Sequence, residues 1–192
     1  MTTALASYQN QYVAKKALFS FMGSTFRIFG TDGSLQFMIK QKAFKLKEEI
    51  NVFADEAQTQ KRLTIKARGI SDFGGAYDIV DAVTGETVGA AKRAGLKSLF
   101  KDEWSLLDNN NQEIGKIQET GGIMILVRKF FKMIQQTYQV TMDGQVEGVI
   151  KQKFNPFQLG YNVDFTPGPG KLDPRFGVGI TVLLLAIESK NK

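Results

Sequence analysis

The sequence predicts an all-β fold: a closed antiparallel barrel of about twelve strands wrapped around a buried hydrophobic C-terminal α-helix. Three observations point to it. Short strand-like runs alternate with turn residues along most of the chain, a basic strand motif recurs at wide spacing, and one apolar run without charge lies beside the C-terminus.

The apolar run sets the architecture. Residues 176–187, between Arg175 and Glu188, carry no charge. A membrane-spanning helix needs about 20 apolar residues, so this run is too short to cross a bilayer. Asp173 is placed to cap a helix and Pro174 suits its first position. Val178, Ile180, Val182, Leu183, Leu184, Leu185 and Ile187 then cover every face, the pattern of a helix enclosed by protein. The β-branched members also permit a buried strand. Gly177 and Gly179 form only G-x-G, with Val182 where a dinucleotide fingerprint needs its third glycine, so no cofactor loop is expected.

Hairpins supply the enclosure. Phe26-Arg27-Ile28-Phe29 and Leu35 to Ile39 flank an Asp32-Gly33 turn; Tyr77 to Val80 and Thr87-Val88 flank Thr84-Gly85. Trp104 to Leu107 and Ile114 to Ile117 flank a polar turn, and Tyr138 to Met142 and Val146 to Ile150 flank Asp143-Gly144. The motif IKQKAF at 39–44 returns as IKQKF at 150–154, with AAKRAGL at 90–96 as a weaker copy. Each copy is preceded by an aromatic-led strand and followed by a strand ending near an Asp: Asp55, Asp108 or Asp164. Such units cannot bury a face alone and must close against one another. Residues 26–188 are therefore expected to form the barrel domain, with 1–25 an N-terminal extension, partly ordered and with a short helix over one barrel end, and 189–192 a polar tail.

Composition narrows the chemistry. The 192 residues suffice for one domain with a large core, and 43% hydrophobic with 23% charged residues is ordinary for a globular chain. There is no cysteine, hence no disulfide, thiol nucleophile or thiolate metal site, and a reducing cytoplasmic setting is expected. There is no histidine, which removes triad hydrolases and zinc enzymes as usually built. Lys+Arg exceed Asp+Glu by 25 to 19, a net charge of +6, which serves solubility or attraction to phosphate on a nucleic acid or an anionic membrane.

The segments FMIKQKAFKLKEEINVFAD, YDIVD…GETVG, DEWSLLD…EIGKIQE, VIKQKF and DPRFGVGITVLLLAIE together resemble the LURP-one-related proteins. That family belongs to a tubby C-terminal-like group that includes the phospholipid scramblases. The resemblance covers residues 26–188 and implies a twelve-stranded barrel threaded by its C-terminal helix. It also implies binding of phosphoinositides through a basic surface, as in tubby relatives, or handling of membrane phospholipid, as in scramblases. A cysteine-rich palmitoylated segment and a proline-rich arm, associated with scramblases, are missing from this sequence, which argues against scrambling.

Strand alternation puts Lys40 and Lys42 on one face and Phe37, Ile39 and Gln41 on the other; Lys151 and Lys153 repeat the arrangement. With Ile39 and Ile150 toward the helix, these lysines form an outward row, joined by Lys45 and Lys47, able to hold phosphate headgroups. The same row serves equally as a solvated face that guards against aggregation. Gln41 and Gln152 then face inward and need partners, near a rim or on backbone. In LVRKFFKM, Arg128, Lys129 and Lys132 interleave with Phe130 and Phe131, a pattern for contact with a headgroup layer or for completing the core. Nucleic acid could use the same residues, but no RNP-type or helix-turn-helix pattern supports it. DNNNQE at 108–113 lacks the glycine and glutamate of a calcium loop, and GPGK at 168–171 lacks the spacing of a phosphate loop. Glu48-Glu49 and Asp102-Glu103 are adjacent, so in strands their side chains diverge and make no acid–base dyad.

The expected function is a non-enzymatic binding module for anionic phospholipid headgroups at a membrane surface. It is expected to be monomeric, to need no cofactor or metal, and to be cytoplasmic or peripheral on the membrane. A protein-interaction scaffold and scramblase-like phospholipid handling are the alternatives.

Overall fold

Period-two alternation builds the wall. In Ser24–Phe29 the residues Phe26 and Ile28 turn inward and are fully buried, while Arg27 and Phe29 on the other face stay half-buried. The computed structural model describes residues 8–18, 24–41, 49–69, 75–93, 103–120, 135–153, 155 and 157–188. Its strands are β1 (Gln11–Lys16), β2 (Ser24–Phe29), β3 (Leu35–Gln41), β4 (Ile50–Phe53), β5 (Lys61–Ala67) and β6 (Ala76–Asp81). They continue as β7 (Thr87–Arg93), β8 (Glu103–Leu107), β9 (Glu113–Thr120), β10 (Thr137–Met142), β11 (Gln145–Gln152) and β12 (Gly160–Asp164). One helix follows, α1 (Pro174–Glu188).

Each strand pairs antiparallel with its chain neighbours, and β1 closes the sheet onto β12 with Gln11 opposite Asp164 and Lys15 opposite Gly160. The four predicted hairpins are present as β2–β3, β6–β7, β8–β9 and β10–β11. Residues 11–16 depart from expectation: this part of the supposed extension is a wall strand, paired on both edges. The physical reason is closure. Without β1, both β2 and β12 would present an unpaired edge.

The helix occupies the interior. Phe176, Val178, Ile180, Val182, Leu183, Leu184 and Leu185 are at most 2% exposed, which accounts for apolar residues on every face. Two glycines let the wall come close. A Cβ on Gly177 would meet the Phe165 ring at 2.7 Å, and one on Gly179 would meet Ile79 at 2.7 Å. The Asp173 cap is as expected: its Oδ1 accepts the Arg175 N–H at 2.8 Å, with Pro174 in the first helical position.

The helix begins at the rim formed by the even-numbered strands' C-terminal ends, here the lower rim. There Arg175 reaches Asp81 at 2.9 Å, Glu86 at 2.8 Å and Asp173 at 2.7 Å. Fifteen residues rise about 22 Å, matching a strand of about seven residues, so the helix runs the length of the barrel toward the upper rim.

Candidate functional site

The two rims differ in charge because the repeat places aspartates and lysines at opposite strand ends. On the lower rim several aspartates are bound into turns. Asp32 accepts the Ser34 N–H at 3.0 Å and its hydroxyl at 2.7 Å. Asp55 accepts the N–H groups of Thr59 and Gln60, and Asp108 those of Asn110 and Gln112, both at 2.8 Å. Asp164 accepts from the Thr166 hydroxyl at 2.6 Å and N–H at 2.9 Å. These are the local side-chain-to-backbone bonds for which aspartate is suited in turns. The Ser34 hydroxyl bond chiefly lowers the Asp32 pKa, the Gln60 N–H that of Asp55, and the Thr166 hydroxyl that of Asp164. Burial pushes Asp81 upward, but Arg175 and the N–H groups of Val83 and Thr84 outweigh it, so its pKa is also lowered.

Two weak motifs resolve in the same way. DNNNQE is a polar turn folded around Asp108, and no three acidic side chains gather into a metal site among the described residues. At GPGK, Oε2 of Glu147 accepts the N–H groups of Gly170, Lys171 and Leu172 at 3.2, 3.0 and 3.4 Å. Those donors hold the protein's own carboxylate.

Toward the upper rim, on the strands that carry the repeated motif, the described lysines point outward. Ile39 and Ile150 are fully buried against the helix side, while Lys40, Lys151 and Lys153 are exposed, as alternation predicts. The two basic strands are not neighbours, however. Between β3 and β11 lie β2, β1 and β12, so Lys40 and Lys151 are four strand spacings apart, about 19 Å along the wall. Lys42, Lys45, Lys47, Arg128, Lys129, Phe130, Phe131 and Lys132 lie outside the described residues.

Sequence reasoning missed two cations that occupy the gap. Lys15 on β1 stands opposite Gly160 on one side and Arg27 on the other, and Lys153 bonds Gly160 from β11. Lys153, Gly160, Lys15 and Arg27 therefore share one row across four strands. Gly160 leaves that row open: a Cβ there would lie 3.7 Å from Cγ of Lys15 and 4.0 Å from Cδ of Lys153. The two lysine stems converge over a bare stretch of backbone, with Lys151 and Asn162 in the next outward row. Lys15 also places its Nζ 5.5 Å from the centre of the Phe29 ring, and Arg27 binds Glu56 at 3.0 Å. The sequence carries no alternation that marks Lys15, since Tyr12, Val13 and Ala14 are all apolar, and its strand partner Gly160 is 145 residues away.

Pairing separates this wall from the rest. On β4 to β9, Lys61 and Lys66 share Glu49, Arg68 binds Asp78, and Lys116 lies between Glu103 and Glu113. Lys15, Lys40, Lys151 and Lys153 have no ion-paired carboxylate among the described residues; on the paired side Lys92 is an exposed exception. Gln152 meets its expectation, as its Oε1 accepts the Gln136 N–H at 3.1 Å inside the upper rim. The Gln41 side chain lies outside the described residues.

A family model for LURP-one-related proteins matches residues 35–185. The chain belongs to the LURP-one-related family. Its fold is similar to that of an X-ray structure of a protein from Arabidopsis thaliana, at a TM-score of 0.52 and 11% identity, covering 97% of this chain and 96% of that one. At that identity the likeness speaks for the fold alone. No curated protein matches the chain in sequence. The LURP-one-related match includes Lys40, Lys151, Lys153 and most of α1 but begins after β1 and β2, so Lys15 and Arg27 lie outside it. Among the described residues, no helix of this LURP-one-related chain is long and apolar enough to cross a membrane.

Proposed function

We propose that this LURP-one-related barrel is a non-catalytic binding module for anionic phospholipid headgroups at a membrane surface. The observation that carries the reading is the convergence of Lys15 and Lys153 over Gly160, beside Lys151, with no carboxylate partner among the described residues. A headgroup phosphate would seat between the two ammonium groups, and each lysine near an anionic surface contributes about 1 kcal/mol. Curvature limits the contact. A closed wall of twelve strands turns about 30° per strand, so Lys40 and Lys151 face about 120° apart. A flat surface meets the middle of this sector at Lys15, with Lys151 and Lys153 on one flank and Lys40 on the other.

The test is co-sedimentation with vesicles of phosphatidylcholine alone or mixed with phosphatidylserine, at low and high salt. The wild-type chain is expected to be retained on the anionic vesicles and to lose retention as salt screens the charges. The triple variant Lys15→Gln, Lys151→Gln, Lys153→Gln removes about 3 kcal/mol, a roughly hundredfold loss of partitioning, with the fold intact because all three side chains point outward. Equal, weak retention on both vesicles would end the lipid reading and leave a protein-interaction scaffold.

A further inference from the structure

Among the described residues most large apolar side chains are buried, but Phe157 is 85% exposed. Its backbone is fixed. Asn155 Oδ1 accepts the N–H groups of Phe157 at 2.9 Å and Gln158 at 3.1 Å, and the Gln158 side chain donates to the Lys16 carbonyl at 2.8 Å. The bond from the Lys16 N–H to the Leu159 carbonyl, at 2.8 Å, carries the β1–β12 register past the strand ends. Leu18, two residues past Lys16 on the other side of that bond, is 57% exposed. Both lie three residues beyond the row of Lys15, Gly160 and Lys153, about 10 Å further toward the upper rim. An exposed aromatic and an exposed aliphatic residue thus cap the wall sector where Lys15, Lys151 and Lys153 lack carboxylate partners among the described residues.

We infer that Phe157, with Leu18 at the same rim, is an insertion tip that enters the acyl boundary of an anionic bilayer while Lys15, Lys151 and Lys153 hold headgroups on the wall below it. This rests on the lipid-binding reading and adds to it a depth and an orientation: upper rim toward the membrane, helix start away from it. The occupant is a bilayer rather than a protein partner, because cations on the wall below an exposed apolar rim complement an anionic surface over a hydrocarbon layer. Val83, 66% exposed, lies in the β6–β7 connection at the lower rim and stays in water.

The experiment places one tryptophan at each rim. The chain's single native tryptophan, Trp104, is 2% exposed and provides the background signal. Phe157→Trp and Val83→Trp variants are bound to phosphatidylcholine–phosphatidylserine vesicles carrying brominated acyl chains, which quench only fluorophores that enter the bilayer. Quenching is expected for Phe157→Trp and not for Val83→Trp or the wild type. A Phe157→Ser variant is expected to keep low-salt retention but lose about tenfold of the retention that survives high salt, the part owed to apolar burial. Retention of Phe157→Trp without quenching overturns the insertion tip and leaves headgroup binding standing. Failure of the wild type to sediment with either vesicle overturns both.

Discussion

At the lower rim of the barrel, carboxylates accept backbone N–H groups two to five residues onward, or hold Arg175 where the helix begins. Toward the upper rim, on the sector from β11 through β1 to β3, the ammonium groups of Lys15, Lys40, Lys151 and Lys153 lie on the outer face and the described residues offer those four no carboxylate. Both kinds of charge come from the same repeated strand units, so position along the strand decides the role. Acids at turns stabilise the fold and are occupied. Lysines on the outer wall contribute little to folding, which leaves them available to a ligand.

The difference is broken most severely at Arg175. Its side chain is 22% exposed and that of Asp81 is 11% exposed, so removing one partner strands a largely buried charge. Arg175→Met is expected to cost about 3 kcal/mol, lowering Tm by roughly 6–12 °C in a chain of this size. Adding Asp81→Asn should return part of that loss, since the most buried of the three carboxylates around Arg175 is then no longer charged. Calorimetry on the single and double variants measures both. Vesicle retention of the folded fraction should be unchanged; if Arg175→Met reduced it as the triple lysine variant does, the two rims would not be independent.

Acid sharpens the contrast with a smaller effect. Asp32, Asp55, Asp81 and Asp164 all have folded pKa values lowered below the ordinary 3.8. A lowered folded value means that the unfolded chain takes up protons first as pH falls. The stability from these groups is therefore fully present above about pH 4 and is lost as pH drops through the folded values. Denaturant midpoints should be flat from neutral pH down to that point and then decline. Asp81→Asn, made together with Arg175→Met, should flatten part of the decline; an unchanged slope would show that Asp81 does not contribute to it.

Much of this division was legible in the residues. Asp32-Gly33 and Asp143-Gly144 marked hairpins because local turn chemistry needs no distant partner, and Gly33 and Gly144 do adopt positive φ, 79° and 77°. The helix was legible from Asp173-Pro174 and an apolar run too short for a bilayer. Strand order was not. The IKQK copies suggested a matched pair of lysine strands, whereas closure separates them by β12, β1 and β2. Alternation correctly sent Lys40, Lys151 and Lys153 outward, because facing direction is a property of one strand. Which cations meet across strands depends on long-range pairing, and only the Gln11–Asp164 seam brings Lys15 beside Lys153. Phe157 escaped notice for a related reason: exposure at a rim follows from where a strand ends in space, and an aromatic residue is by default a core candidate.

The smallest effect falls on the border between the two behaviours, at Arg27. It lies in the row of Lys15 and Lys153, yet it binds Glu56 from the lower rim at 3.0 Å, with side-chain exposures of 36% and 63%. An ion pair this open is worth under about 1 kcal/mol to the fold. Glu56→Gln should leave Tm nearly unchanged while releasing one more cation to the unpaired sector. Vesicle retention at low salt should rise by a few-fold, up to the fivefold that about 1 kcal/mol allows. The same substitution at Glu49, which holds Lys61 and Lys66 on the far wall, should leave retention where it was, since those lysines face away from the surface that Lys15 and Lys153 meet. Equal gains from both would mean that net charge alone sets retention and that the arrangement over Gly160 adds nothing.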